Sequence, residues 1–379
     1  MKKWAVMLLA LLASGGMNAS RQALAEDDIG PLLVRRLPQD QLLIFLDSQQ
    51  EQQPVKSLAD WAKRRQEIIR GMQGVMGVLP DKERDCDLDI QVLSETDMGS
   101  YVRRKITYQS EPGSRVPGYL LIPKTALEPD AKPVPAVLAL QQTHAQGPDE
   151  IVGLGTNVNR RYAKELAERG YIVLAPNYPH LGEYTPDLTG LGYKSGSLKA
   201  VYDNKRGLDL LDSLPYVDKQ QYAVIGHSLG GHNAVYTAVL DDRLKVVISS
   251  CGLDSFLDYR RDLPGVWRKG QGWTQDRYMP ALADYAGRLQ EIPFDFHELI
   301  GALAPRQVLI IAPVSDHNFA ADSVDRIVAA AKPVFALHGV PDHLQVEHPV
   351  AAHDFPPEMR ERAYRLIDSV LRPTMNSTR

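Results

Sequence analysis

Tyr222-Ala223-Val224-Ile225-Gly226-His227-Ser228-Leu229-Gly230-Gly231 is the stretch that decides the fold. Its first four residues are an apolar run of strand length, and residues 229–240 continue with helical spacing. Gly-x-Ser-x-Gly therefore falls where a strand becomes a helix. So sharp a turn holds one residue in a strained backbone conformation, and Gly226 and Gly230 remove side chains that would collide across it. Ser228 is then lifted at the end of the strand, beside the free N–H groups of the helix that follows. The five-residue pattern alone also occurs in ordinary Gly-rich turns. Its strand–helix context makes Ser228 a candidate nucleophile.

Outward from this turn, the chain from residue 134 alternates strands with helices. Apolar runs at 134–140, 171–175, 221–225, 244–249 and 307–311 read as strands, with a weaker one at 343–347. Helical patterns occupy about 157–169, 196–213, 229–240, 320–331 and 356–371. Continuous apolar strands between helices predict a mostly parallel central sheet covered on both faces. Residues 87–123 instead alternate apolar and polar, with a turn at Pro112-Gly113-Ser114, and predict antiparallel strands leading into that sheet. Residues 252–300, rich in Trp, Arg, Tyr and Pro, break the rhythm and read as an insertion over the active end of the sheet. Residues 26–85 read as a helical N-terminal segment, with a helical pattern over 58–75, before a catalytic domain at 86–373.

A serine hydroxyl needs a base within hydrogen-bond reach. His353 lies between the weak last strand and the final helix, where a base that follows the nucleophile belongs. His348 is its rival, nearer the strand end. An acid must fix the tautomer of that base. Asp316 follows the 307–311 strand and is favoured. Asp254, after the preceding strand, and Asp342, in a Gly-Val-Pro-Asp turn, are the alternatives. The oxyanion hole calls for the backbone N–H of Leu229 and one from the loop after 134–140, at Thr143 or Gln142. His227 and His232 read as packing or hydrogen-bonding residues rather than catalysts. Trp267, Trp273, Arg277 and Tyr278 line a substrate cleft or form a small core of the insertion. No histidine pair has metal-ligand spacing, so no metal and no cofactor is expected.

Lys2 and Lys3, the apolar run 4–13 and Ala23-Leu24-Ala25 read as a signal peptide over 1–25, cleaved before Glu26. The run is too short to span a membrane. The expected protein is secreted or periplasmic, with no membrane attachment after signal removal. The net charge of −4 gives no electrostatic reason to bind nucleic acid. Cys86 and Cys251 are read as free, partly buried thiols.

From about residue 100 to 371 the chain resembles the bacterial α/β-hydrolases of the dienelactone-hydrolase and acetyl-xylan-esterase-like group. The resemblance rests on Leu174-Ala175-Pro176-Asn177-Tyr178-Pro179, residues 224–233, Ser249-Ser250-Cys251-Gly252, Pro293-Phe294-Asp295-Phe296-His297-Glu298 and His353-Asp354-Phe355-Pro356. It implies an α/β-hydrolase fold and a triad of Ser228, Asp316 and His353. Leu229 departs from the Gln or Arg that acetyl-xylan and glucuronoyl esterases carry after the nucleophile, and dienelactone hydrolases proper use Cys. The resemblance therefore implies fold and triad and leaves the substrate open. The leading expectation is hydrolysis of short acyl or carbohydrate-linked esters through an acyl-enzyme. The alternatives are a prolyl-oligopeptidase-like peptidase, for which some 75 N-terminal residues cannot supply a propeller, and a non-catalytic binding protein, which would not need Ser228 and His353.

Overall fold

A computed structural model describes residues 36–80 and 86–372. The expected signal peptide lies outside the described residues. A short antiparallel hairpin, β1 (Ile44–Leu46) and β2 (Gln52–Pro54), precedes helix α1 (Leu58–Met76). The hairpin was not foreseen in a segment read as helical, because three-residue strands carry too little period to register. Ser57 caps α1, its hydroxyl accepting the Asp60 N–H at 3.2 Å. Trp61, Ile68, Met72 and Val75 form one buried stripe of α1, packed into the core that also covers the central sheet.

The strands β3 (Gln91–Asp97), β4 (Tyr101–Glu111) and β5 (Ser114–Pro123) are antiparallel neighbours. Then come β6 (Val134–Leu140), α2 (Tyr162–Glu168), β7 (Ile172–Pro176), α3 (Gly196–Ser213), β8 (Val217–His227), α4 (Leu229–Leu240) and β9 (Leu244–Ser250). The chain closes with α5 (Phe296–Gly301), β10 (Gln307–Ile311), α6 (Ala321–Leu337), β11 (Leu344–Glu347) and α7 (Pro357–Leu371). The nine-stranded sheet runs β11-β10-β9-β8-β6-β7-β5-β4-β3. Strands β6 to β11 pair in parallel, and β5 joins them antiparallel against β7. The expected architecture, a mostly parallel sheet with helices on both faces and an antiparallel N-terminal part, is the one observed.

Both faces are apolar, and successive residues serve opposite sides. Leu138, Val224, Val247 and Ile310 pack with α3, α4 and α6, while Val137, Ile225, Ile248 and Leu309 pack with α2 and α7. Helix α6 runs on past the expected end at 331 and through Pro333 to Leu337. The apolar stripe outlasts the proline, with Val334 and Phe335 fully buried. Residues 252–295 hold only short 3-10 turns. Their rings pack together: Phe256 lies edge-on to Trp267, Trp273 and Phe294, with centroids 5.4–6.0 Å apart. No helix among the described residues is long and apolar enough to cross a membrane.

Candidate active site

Strand β8 ends at His227 and α4 begins at Leu229, so Ser228 alone makes the turn. Its φ is 55° and its ψ −119°, a conformation L-residues seldom hold. Three backbone bonds fix it: its N–H donates to Ser250 O at 2.8 Å, and its carbonyl accepts from Gly231 N at 2.8 Å and from His232 N at 3.2 Å. A Cβ on Gly226 would stand 2.1 Å from Gly230 O, and one on Gly230 only 2.0 Å from Leu140 O. The two glycines are what let β6, β8 and α4 approach so closely.

The parallel sheet gathers the loops after β6, β8, β9, β10 and β11 at one end. There Nδ1–H of His353 donates to Asp316, with Oδ2 at 2.8 Å and Oδ1 at 3.0 Å. The Asp316 side chain is 1% exposed. Burial pushes its carboxyl up, but the bond from His353 and the N–H groups of Asn318 (2.7 Å) and Phe319 (3.2 Å) outweigh it, holding the group below the usual carboxylate value. Chain order had left three acids open; the geometry pairs His353 with Asp316. Asp254 is buried and accepts instead from Ala320 N at 3.3 Å, at the start of α6, and burial raises its carboxyl to about 6. Asp342 sits in a 3-10 turn before β11, at the opposite end. His348 is engaged elsewhere, with Nδ1 donating to Ala312 O and Nε2 2.9 Å from Asp325.

His227 lies under this pair. It is fully buried, its ring centroid 5.0 Å from that of His353 and its Nδ1 3.1 Å from Ser250 Oγ. Burial, Arg160 and His353 all hold its pKa well below the usual histidine value. Neither cysteine is in a disulfide; Cys251 is buried and Cys86 half-buried. Cys251 has a positive φ of 47° and donates to Asp354 O at 3.2 Å. Burial and Asp316 push its thiol up, so it stays protonated. Among the described residues the Cys251–Asp316–His353 grouping could hold a metal ion, yet its histidine and carboxylate are already bonded to each other.

A cavity of about 120 Å³ opens beside Ser228, lined by Thr143, Leu229, His232, Trp273, Tyr278 and Phe319, with Tyr259, Gln275 and Asn318. Leu229 is the first residue of α4, where the N–H has no helical acceptor. Thr143 lies on the cavity wall, its hydroxyl 2.8 Å from that of Tyr278. Gln142 is not among the lining residues; its amide donates to Glu150 at 2.6 Å. Trp273 and Tyr278 line the cleft, while Trp267 belongs to the aromatic core of the insertion. His232, read from the sequence as a packing or hydrogen-bonding residue, is buried among Tyr236, Trp273 and Tyr278 and also lines the cavity, which the sequence did not signal. It is one helical turn after Ser228, so α4 aims both the same way. Its centroid is 4.5 Å from that of Trp273. Burial lowers its pKa to about 3, with the Gly252 backbone opposing. Its neighbours Tyr259, Gln275 and Asn318 left no periodic signal.

The sequence matches a family model described as glucuronyl esterase of fungi over residues 187–339. A Bacillus subtilis protein named as the hydrolase YtaP is 26% identical over 322 residues, 82% of this chain and 99% of its own length. The 4-O-methyl-glucuronoyl methylesterase of Phanerochaete carnosa is 23% identical over 337 residues, 84% of this chain and 78% of that one. Among solved structures, a glucuronoyl esterase from Solibacter usitatus superposes with a TM-score of 0.68 at 20% identity, covering 87% of this chain and 97% of its own. The chain has the α/β-hydrolase fold, and these likenesses fit the dienelactone-hydrolase and acetyl-xylan-esterase-like group. In this α/β-hydrolase the strained serine, the histidine loop and the acid loop sit on the end of the sheet where the fold builds its sites.

Proposed function

We propose that this α/β-hydrolase is a serine carboxylic-ester hydrolase acting on carbohydrate-linked esters, with Ser228 as nucleophile, His353 as base and Asp316 as the acid that orients it. The observation that carries this reading is the two-oxygen hydrogen bond of Asp316 to His353 Nδ1. It leaves Nε2 unprotonated and able to take the proton of a serine.

Ser228 Oγ attacks the ester carbonyl carbon while its proton passes to Nε2 of His353. The carbonyl oxygen becomes an oxyanion, received by the Leu229 N–H and a second N–H from the loop at Thr143, with Gln142 as the alternative. Collapse breaks the carbon–oxygen bond to the alcohol, which leaves with the proton held by His353. Water then attacks the acyl-enzyme, giving its proton to the same nitrogen, and the carboxylic acid departs as Ser228 is restored. Asp316 stays ionised throughout, which its depressed pKa favours.

A carbohydrate substrate is supported by the names of the relatives and by the cavity wall. Trp273 and Tyr278 offer ring faces, and His232, Gln275 and Asn318 offer uncharged hydrogen-bonding groups. Polysaccharide esters lie outside the cell, which agrees with residues 1–25 serving as a signal peptide. A mature protein starting near Glu26 by mass spectrometry supports secretion or release to the periplasm, and one starting at Met1 rejects it. The function itself is tested with a panel of acetylated sugars, glucuronoyl methyl esters and simple acyl esters. Turnover of a carbohydrate ester that disappears in Ser228→Ala is expected; equal turnover in that variant overturns the reading.

A further inference from the structure

Three consecutive backbone carbonyls in the histidine loop are each held by a side chain from elsewhere. His353 O accepts from Arg160 Nη2 at 3.0 Å, Asp354 O from the Cys251 thiol at 3.2 Å, and Phe355 O from Arg360 Nη1 at 2.7 Å. The Asp354 carboxylate is held too, by Arg160 Nη1 on one oxygen and Asn159 Nδ2 on the other, both at 2.5 Å. Arg360 bonds the Asn159 amide oxygen at 3.0 Å and pairs with Glu165, which also accepts from Tyr364 at 2.6 Å. The loop is thus tied to the segment before α2 and to α7.

Arg160 is 8% exposed and lies in a 3-10 turn capped by Asn157. Its two terminal nitrogens reach different parts of the loop, the carbonyl of the base and the side chain of the next residue. Asp316 fixes one nitrogen of the imidazole ring, and the rings of His227, Phe319 and His317 pack around it with centroids 5.0–6.1 Å away. Where that ring starts from is set by the main chain of His353, which Arg160 holds. The planar guanidinium makes both contacts at once, which an ammonium on a flexible stem does not. Its charge is neutralised by Asp354, so the imidazolium that forms during attack meets no unpaired cation.

We propose that Arg160 is a positioning residue for His353, acting through the His353 carbonyl and the Asp354 carboxylate to hold Nε2 in line with Ser228. This rests on His353 being the general base. Misplacing a reacting group by about an ångström costs roughly a hundredfold, so the effect belongs in kcat. The test uses Arg160→Lys and Arg160→Met, with kcat counted per site titrated by an organophosphonate and measured well below each melting temperature. Expected is a fall in kcat of about tenfold for Lys and about a hundredfold for Met, with KM within about twofold. Asp354→Asn should lower kcat as well, and combining it with Arg160→Met should add little, since the two act as one unit. If Arg160→Met does not fold, Arg160→Lys decides. Unchanged kcat per titrated site, or a loss explained by fewer titratable sites or carried by KM, overturns the proposal. An inactive Ser228→Ala beside a fully active Arg160→Lys removes this inference alone, whereas an active Ser228→Ala removes the serine mechanism itself.

Discussion

His353 Nδ1 and Asp316 Oδ2 lie 2.8 Å apart although 37 residues separate them in the chain. One helix and one strand fill that interval, and their only effect on the site is to return the chain to the same end of the sheet. Asp316→Asn keeps the shape of the acid but no longer favours the tautomer with Nδ1 protonated. Turnover should fall roughly 10²–10⁴-fold with little change in melting temperature. Asp254→Asn should lose about tenfold or less, because Asp254 bonds the start of α6 and not His353. Kinetics of both variants on an activated acetyl ester decide the matter; a crippled Asp254→Asn beside a normal Asp316→Asn would reassign the acid.

The backbone strain at Ser228 separates activity from stability. Ser228→Ala should lower turnover by about 10³-fold or more, since the hydroxyl is lost while the oxyanion donors stay. Ser228→Gly should be as inactive yet more stable by about 1 kcal/mol, because glycine accepts a φ of 55° without steric cost. Denaturant melts of the two variants measure this; a glycine variant less stable than the alanine variant would show that the turn is unstrained.

Gly230 answers to close packing rather than to its own φ. A methyl group there would sit 2.0 Å from Leu140 O, and that oxygen is backbone in the core strand β6. Gly230→Ala should destabilise the protein by about 3 kcal/mol or leave it insoluble. A soluble variant with wild-type melting and activity would mean that β6 and α4 separate more easily than the contact implies.

His297 supplies a pH test away from the site. Burial lowers its pKa to about 4, against about 6.5 in the unfolded chain. Between those values the unfolded chain binds a proton that the folded protein refuses. Stability therefore falls as pH drops from 6.5 towards 4. His297→Gln should flatten the pH dependence of the melting temperature in that window. An unchanged slope in calorimetric scans at pH 4.5, 5.5 and 6.5 would show that His297 titrates normally.

Much of the parallel half was legible because its rules are local. The runs 134–140 and 307–311 are strands over those residues, and 196–213 and 229–240 are helices, since period and apolarity act within a few residues. Helix α6 outran its proline and the β1–β2 hairpin escaped notice, because there tertiary burial and short strand pairing overrode local signals.

Sequence alone determined that a strand, a strained serine and a helix follow one another, because Gly226 and Gly230 are the residues that permit that turn. It also determined that apolar strands alternate with helices, which makes a parallel sheet with its loops at one end. Tertiary structure decided that Asp316, and not Asp254 or Asp342, bonds His353, and it set the place of His232 on the cavity wall and the hold of Arg160 on the histidine loop. Those are contacts between residues distant in the chain, and periodicity carries no record of which loops meet. The aromatic insertion is the extreme case: Trp267 and Trp273 look alike in sequence, and only packing sends one to the core and the other to the cavity as well.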